Sequence, residues 1–265
     1  MKQLTVNHAF ALCTGIILFF GIGPFVQAGF INGDFETGDF SGWSVLGAPT
    51  SSFIETSAFG TGPIGGTYSA LLTNTGSVPD SPTDAEIETF LGLLAGALDG
   101  RVAGKSGDAH SGTAMKQTFD AIAGDTFFFD YVFLTNDLRD LGFNQAVDSN
   151  DFAFISIVGT PTGLGTGVGN LTDTSLPLIM SSTIFSFETQ PNSFGLILPF
   201  DATYTLGIGV IDSFDDGVDS AILIDNVRVR MASAVIPEPS SIVLFGLGAV
   251  AILAYGWRRK RKQAA

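Results

Sequence analysis

The side chains with the most obvious capacity for chemistry in this sequence are carboxylates. Asp212, Asp215, Asp216, Gly217 and Asp219 partly match a calcium loop, in which spaced oxygen ligands and a central glycine wrap a cation. Phe214 stands at the third position and Leu223 at the twelfth, where ligands are needed. An EF-hand is therefore ruled out, leaving a looser calcium loop or a solvated acidic turn. Gly100-Arg101-Val102-Ala103-Gly104-Lys105-Ser106 approaches a phosphate-binding loop but has three residues between its glycines where four are needed, and it follows no buried strand. It reads as a turn. His110 is the only histidine beyond residue 28. A Ser-His-Asp triad or a zinc site would depend on that one imidazole, and a surface-loop histidine is the simpler reading. A glycosidase pair needs one carboxyl raised by an apolar pocket, whereas most acids here lie in polar, glycine-rich stretches. Trp43 and Trp257 are the only tryptophans, few for a sugar-stacking platform, and Trp43 is expected in a core.

Charge narrows the partners. All 26 acidic residues lie between Asp34 and Glu238, while only six of the twelve basic ones do, so that stretch carries a net charge of about −20. A polyanion is a poor ligand for such a surface, which argues against nucleic acid and is compatible with divalent cations. Cys13 is the only cysteine. Once the leader described next is removed, no disulfide can form and stability must come from packing or metal.

Both ends read as targeting segments. Lys2, an apolar run from Ala9 to Ile22 and the small-residue site Val26-Gln27-Ala28 form a Sec signal peptide over residues 1–28, cleaved after Ala28. A lipoprotein reading of Cys13 fails because the apolar run follows that residue. At the other end, Pro237-Glu238-Pro239 precedes Ser240 to Trp257, which contains no charged side chain, and then Arg258, Arg259, Lys260, Arg261 and Lys262. As a helix, residues 240–257 would rise about 27 Å, close to the roughly 30 Å hydrocarbon core of a bilayer. The five cations would stay cytoplasmic, leaving the preceding chain outside.

Between these ends, residues 29–235 suit one large β domain. Short β-prone runs (Ser52 to Glu55, Tyr68 to Leu72) alternate with Gly/Pro/Ser/Thr stretches. Thr83 with Glu86 forms a capping box, and Ile87, Phe90, Leu91, Leu94 and Leu98 recur at helical spacing. This predicts an amphipathic helix over Asp84 to Leu98, packed over one end of the β domain and weakened by Gly92 and Gly96. Met115 to Phe119 and Thr126 to Leu134 are predicted strands; in the second, Phe127, Phe129, Tyr131 and Phe133 share one face, as expected of a central strand. Asp151 to Gly159 gives another strand, residues 160–175 an exposed loop, and further strands are expected around Leu178 to Phe187, Leu196 to Phe200, Thr203 to Ile211 and Ala221 to Arg230.

Three family resemblances follow from these residues. The Pro-Glu-Pro box, spanning helix and basic stub over residues 236–262 resemble the PEP-CTERM sorting signal of Gram-negative bacteria that make extracellular polysaccharide. The resemblance implies an inner-membrane exosortase as partner, anchoring through residues 240–257, and transfer to the cell surface; a plain single-pass anchor is the alternative. The segment Met115 to Phe119, the aromatic strand and Thr135-Asn136-Asp137 resemble a recurrent stretch of the same proteins. Asn32-Gly33-Asp34-Phe35-Glu36, Gly42-Trp43 and Ile224-Asp225-Asn226-Val227 look like the first and last strands of jelly-roll domains of the carbohydrate-binding-module type. That likeness implies an all-β jelly-roll sandwich in which Glu36 and Asp225 share a structural calcium ion, with Asn32, Asp34 and Thr37 as neighbouring oxygen donors.

The expectation is an exported, non-catalytic protein of the cell surface or extracellular matrix, structural or adhesive and associated with extracellular polysaccharide. A carbohydrate-binding module would need two or three exposed aromatics along a concave face, and a secreted hydrolase would need carboxylates converging in a cleft.

Overall fold

The computed structural model describes residues 29–74, 81–101, 109–136, 151–160, 167–173, 177–213, 218–232, 246–253, 255, 257 and 259. Among the described residues twelve strands form two antiparallel sheets: β1 (Ser44–Leu46), β2 (Ser52–Glu55), β3 (Ser69–Thr73), β4 (Ala109–Ala121), β5 (Thr126–Thr135), β6 (Phe152–Thr160), β7 (Gly167–Asp173), β8 (Ile179–Met180), β9 (Phe187–Glu188), β10 (Asn192–Ile197), β11 (Ala202–Ser213) and β12 (Ser220–Arg230). One sheet runs β1-β4-β11-β6-β7; the other runs β2-β3-β12-β5-β9-β8, with β10 also paired to β5. The steps β4 to β5, β5 to β6, β10 to β11 and β11 to β12 each cross between sheets, the alternation that makes the sandwich a jelly roll.

The core lies between the sheets and follows the two-residue period of the strands. Phe127, Phe129, Tyr131 and Phe133 of β5 face Tyr204, Leu206, Ile208 and Val210 of β11 across it. As expected, β5 is central, bonded to β12 on one edge and to β9 and β10 on the other. The alternate set, Val132 and Leu134, packs with Leu71, Leu223 and Phe185 on the outer face of the seven-stranded sheet, beneath Phe59 and Ile64.

The inserted helix, α1 (Asp84–Leu91), begins at the expected capping box, Thr83 accepting from the Glu86 N–H while Glu86 reaches back to the Thr83 N–H. It ends seven residues before the expected Leu98 because Gly92 turns left-handed at φ 74° and closes it with N–H bonds to Glu88 and Thr89 carbonyls. The buried Glu88 carboxylate then accepts the N–H groups of Gly96 and Leu98, folding 92–98 back over the helix end. The helix lies on the outer face of the five-stranded sheet, not over an end of the sandwich: Ile87, Leu91 and Leu98 pack on Ala114, Phe152, Phe154 and Ile211.

Other expectations need correction. Residues 31–42 form turns instead of a first strand, since Asn32, Phe35, Gly38 and Gly42 all have positive φ. Residues 167–173, expected in a loop, form the edge strand β7, held by its ladder to β6 in spite of its glycines. The strand expected over 178–187 is reduced to β8 and β9 around a bend at 182–186, and β10 sits earlier than Leu196 to Phe200. His110 is exposed, as expected, but stands in β4 instead of a loop. Residues 1–28 including Ala28, the box Pro237-Glu238-Pro239, Asp137, residues 102–108 and the basic stop apart from Arg259 lie outside the described residues. Residues 246–253 are helical and exposed. Among the described residues no helix is long and apolar enough to cross a membrane, and the expected span 240–257 lies partly outside them.

Candidate functional site

The sequence-predicted pair Glu36 and Asp225 comes together where β12 is interrupted. Pairing of β12 with β5 shifts between Asp225 and Arg228, and Asn226 takes φ 55° there, the marks of a bulge. The bulge points Asp225 at the 65–69 loop that leads into β3. Asp225 Oδ2 accepts the Gly65 N–H and the Ser69 hydroxyl, each at 2.8 Å, and Oδ1 accepts the Asn226 N–H at 2.6 Å. From the N-terminal turns, Glu36 Oε1 accepts the N–H groups of Thr67 at 2.6 Å and Tyr68 at 3.0 Å. The two acids therefore hold adjoining peptides of one loop. A third tie, Val227 N–H to the Gly33 carbonyl at 2.8 Å, fixes the N-terminal turns on the bulge.

The two carboxyls differ electrostatically. Glu36 is exposed, and the Thr67 and Tyr68 N–H groups hold its pKa below the ordinary value. Asp225 is fully buried; burial pushes its pKa up, the Gly65, Ser69 and Asn226 donors oppose that, and the charge of Glu36 pushes it up further. Such divergence can mark an acid and its partner in catalysis, but the Asp225 carboxyl is closed off from solvent by its own loop. The pair suits a clasp instead. A cation beside it would relieve the repulsion and take oxygen ligands from Glu36 and Asp225, a donor set of the kind calcium uses. Asn32, Asp34 and Thr37 are engaged within the turns: Asn32 Oδ1 accepts Thr37 N–H, Asp34 Oδ1 accepts Glu36 N–H, and the Thr37 hydroxyl donates to Asp39. Among the described residues no group of three or more histidine, cysteine or acidic side chains gathers as a metal site.

Sequence reasoning missed the neighbours that the bulge recruits. Asn226 Nδ2 donates to Asp130 Oδ2 at 3.0 Å, Ser193 donates to Asp130 Oδ1 at 2.5 Å, and Arg228 stands 3.9 Å from the same carboxylate. Beside them the guanidinium groups of Arg228 and Arg230 stand over the Phe128 ring, 6.0 and 5.6 Å from its centroid. An aspartate in the middle of an aromatic strand was the one available signal. Trp43 is buried as expected, stacked 5.8 Å from Phe30 and 5.7 Å from Phe35, with its indole N–H on the Asn32 carbonyl. Of the acidic stretch, Asp212 is buried at the end of β11 and Asp215, Asp216 and Gly217 lie outside the described residues. Arg101, read as part of a turn, donates to the Ala97 and Val168 carbonyls.

Residues 235–261 match the model of the PEP-CTERM protein-sorting motif. Comparison with curated proteins gives no match. Among solved structures, the chain is similar to the carbohydrate-binding module TmCBM61 in complex with β-1,4-galactotriose, at 11% identity and TM-score 0.42, over 77% of this chain and 99% of that one. It is also similar to the K1 cleaved adhesin domain of Lys-gingipain from Porphyromonas gingivalis W83, at 10% identity and TM-score 0.40, over 78% and 99%. A third, the non-crystalline-cellulose-specific module CBM28, shares 12% identity at TM-score 0.38, over 76% and 95%.

Proposed function

We propose that the sorting motif at 235–261 and the jelly roll before it make this chain an exported, non-catalytic protein of the cell envelope or extracellular matrix, structural or adhesive, that associates with polysaccharide. The observation that carries this reading is continuity: β12, the closing strand of the sandwich, ends at Arg230, and the motif begins five residues later. A folded domain is thus delivered by a C-terminal signal for membrane-anchored sorting. In this reading exosortase cuts near Pro237-Glu238-Pro239 and releases the domain from the segment 240–257. Mass spectrometry of protein recovered from the cell surface tests it. A form that begins at Gly29 and lacks Trp257 and the basic tail is expected; surface protein that still carries residues 258–262 would show a plain anchor.

Direct carbohydrate binding is the second reading, and the Phe128 platform favours it. A half-buried aromatic ring with the Arg228 and Arg230 guanidinium groups over it, and Asp130, Asn226 and Ser193 alongside, offers apolar contact and hydrogen bonds together. It is not the aromatic trough expected of such a module. Among the described residues the exposed phenylalanines, Phe53 and Phe200, stand on different elements, and α1 covers part of the outer face of the five-stranded sheet. A glycan array with the mature domain, compared with Phe128→Ala, separates the readings: binding lost in the variant supports a module.

We further propose that Glu36 and Asp225 hold a structural calcium ion in the exported protein. What supports it is the buried Asp225 carboxyl, pushed up further by the charge of exposed Glu36, in a chain whose exported part has no cysteine.

A further inference from the structure

The chain leaves β12 at an end of the sandwich where hydrogen bonds tie several connections together. Three connections meet there. The turn between β4 and β5 is locked to the stretch after β10, Gly124 N–H donating to the Leu198 carbonyl and Leu198 N–H to the Asp125 carbonyl, both at 2.8 Å. Buried Asp125 accepts the Ala232 N–H at 2.8 Å, pinning the chain as it leaves β12. The Asp201 carboxylate accepts the Ala123 N–H at 2.7 Å, tying in the start of β11. Register agrees, since Thr126 pairs with both Ile197 and Arg230, and Ala121 with Ala202.

On this rigid end stand Ile122, Ile197, Phe200 and Met231, with 42%, 67%, 43% and 67% of their surfaces exposed. Leu196, on the groove between β7 and β10, extends the patch, and exposed Arg230 borders it. Single exposed apolar residues are ordinary, but a cluster on one end of a soluble domain calls for a partner. The sequence supplies the location of that partner. Only seven residues separate Ala232 from Ser240, where the uncharged run 240–257 begins, and at about 3.5 Å per residue the link can reach no farther than roughly 28 Å.

We propose that this end, through Ile122, Ile197, Phe200 and Met231, rests on the outer face of the lipid bilayer while the sorting segment is still attached. The patch then sits at the headgroup boundary, where aliphatic and aromatic side chains replace water and an arginine reaches phosphate. Docking at this end holds residues 237–239 at the bilayer surface until they are cut, after which the patch is no longer tethered there. The proposal rests on the reading of 235–261 as a membrane-anchored signal.

The test uses the full chain with Cys13→Ser, reconstituted in vesicles of phosphatidylethanolamine and phosphatidylglycerol. A single cysteine carrying an environment-sensitive fluorophore is placed in turn at Ile197, Phe200, Met180 and Leu247. Met180, 82% exposed in β8, is the aqueous reference, and Leu247 reports the anchor. Headgroup-proximal spin-labelled lipid is expected to quench positions 197 and 200 at least threefold more than 180, and lipid spin-labelled deep in the acyl chain to quench 247. Quenching at 247 with 197 and 200 as wet as 180 overturns the docking proposal and leaves the anchor standing. Absence of lipid quenching at 247 overturns both. Shielding of 197 and 200 from aqueous iodide without lipid quenching means that a second copy of the chain covers the patch, and also overturns the proposal.

Discussion

Glu36 and Asp225 grip one loop from two separate parts of the chain, Asp225 at Gly65 and Ser69 and Glu36 at Thr67 and Tyr68. Gly66, between the two grips, is where the fit is tightest. A Cβ there would stand 2.1 Å from Glu36 Oε1, and the residue has φ 61°. Gly66→Ala is therefore expected to displace the Glu36 side chain and strain the turn, lowering stability by about 1–3 kcal/mol in urea unfolding. An unchanged midpoint would show that the grip is not formed in solution.

The opposite pKa shifts of the pair give opposite pH signatures. Glu36, held below its ordinary value, contributes stability that is present above the usual carboxylate range and is lost as pH falls through its folded value. Asp225, pushed up, favours the folded state most while protonated and loses that contribution as pH rises through its folded value. Glu36→Gln should therefore flatten the acid limb of stability and bring Asp225 back toward its ordinary value. Urea midpoints at pH 3, 5 and 7 check this, and an acid limb identical to wild type would remove Glu36 from the account.

How much of this was legible in the sequence depended on periodicity. The four aromatics of β5 at every second position announced a central strand, and Thr83 with Glu86 announced a helix start. Ends and exceptions were harder, because glycine conformation is decided by what surrounds it: Gly92 stops α1, whereas Gly167 and Gly169 are carried in β7 by the neighbouring strand. The clasp was visible only through likeness to other jelly rolls. Its loop partners, Gly65 to Tyr68, and the Asp130 network depend on a bulge and on pairings between remote segments that no local pattern encodes.

The docking of α1 depends on an absent side chain. A Cβ at Gly207 would lie 2.3 Å from Ser156 Oγ and 2.6 Å from Leu91 Cδ2, so the helix seats directly on the β11 backbone. Gly207→Val should force α1 away and destabilise the domain by about 1–3 kcal/mol, as overpacking does. Thr83→Ala, which removes only the cap, should cost about 1 kcal/mol. Thermal melts of both variants rank the effects; a Gly207→Val protein as stable as wild type would mean that the helix does not rest on the sheet.

Calcium at the clasp is tested most directly by its removal. A ligand bound only by the folded state adds RT ln(1 + [L]/Kd), about 2.7 kcal/mol at a hundredfold excess over Kd. With the bulge already fixed by Gly65, Ser69 and Asn226, the expected result is a midpoint that rises with calcium and falls with chelator in the wild-type chain. Asp225→Asn keeps the shape but places an amide where three donors converge, so it should lose about 1–3 kcal/mol by itself and cease to respond to the ion. Glu36→Gln should fold and lose most of the response. A wild-type midpoint indifferent to chelator would end the calcium proposal while leaving the clasp as a purely hydrogen-bonded device. A response that survives in both variants would place the ion elsewhere, with the Asp212 to Asp219 stretch the next to be mutated.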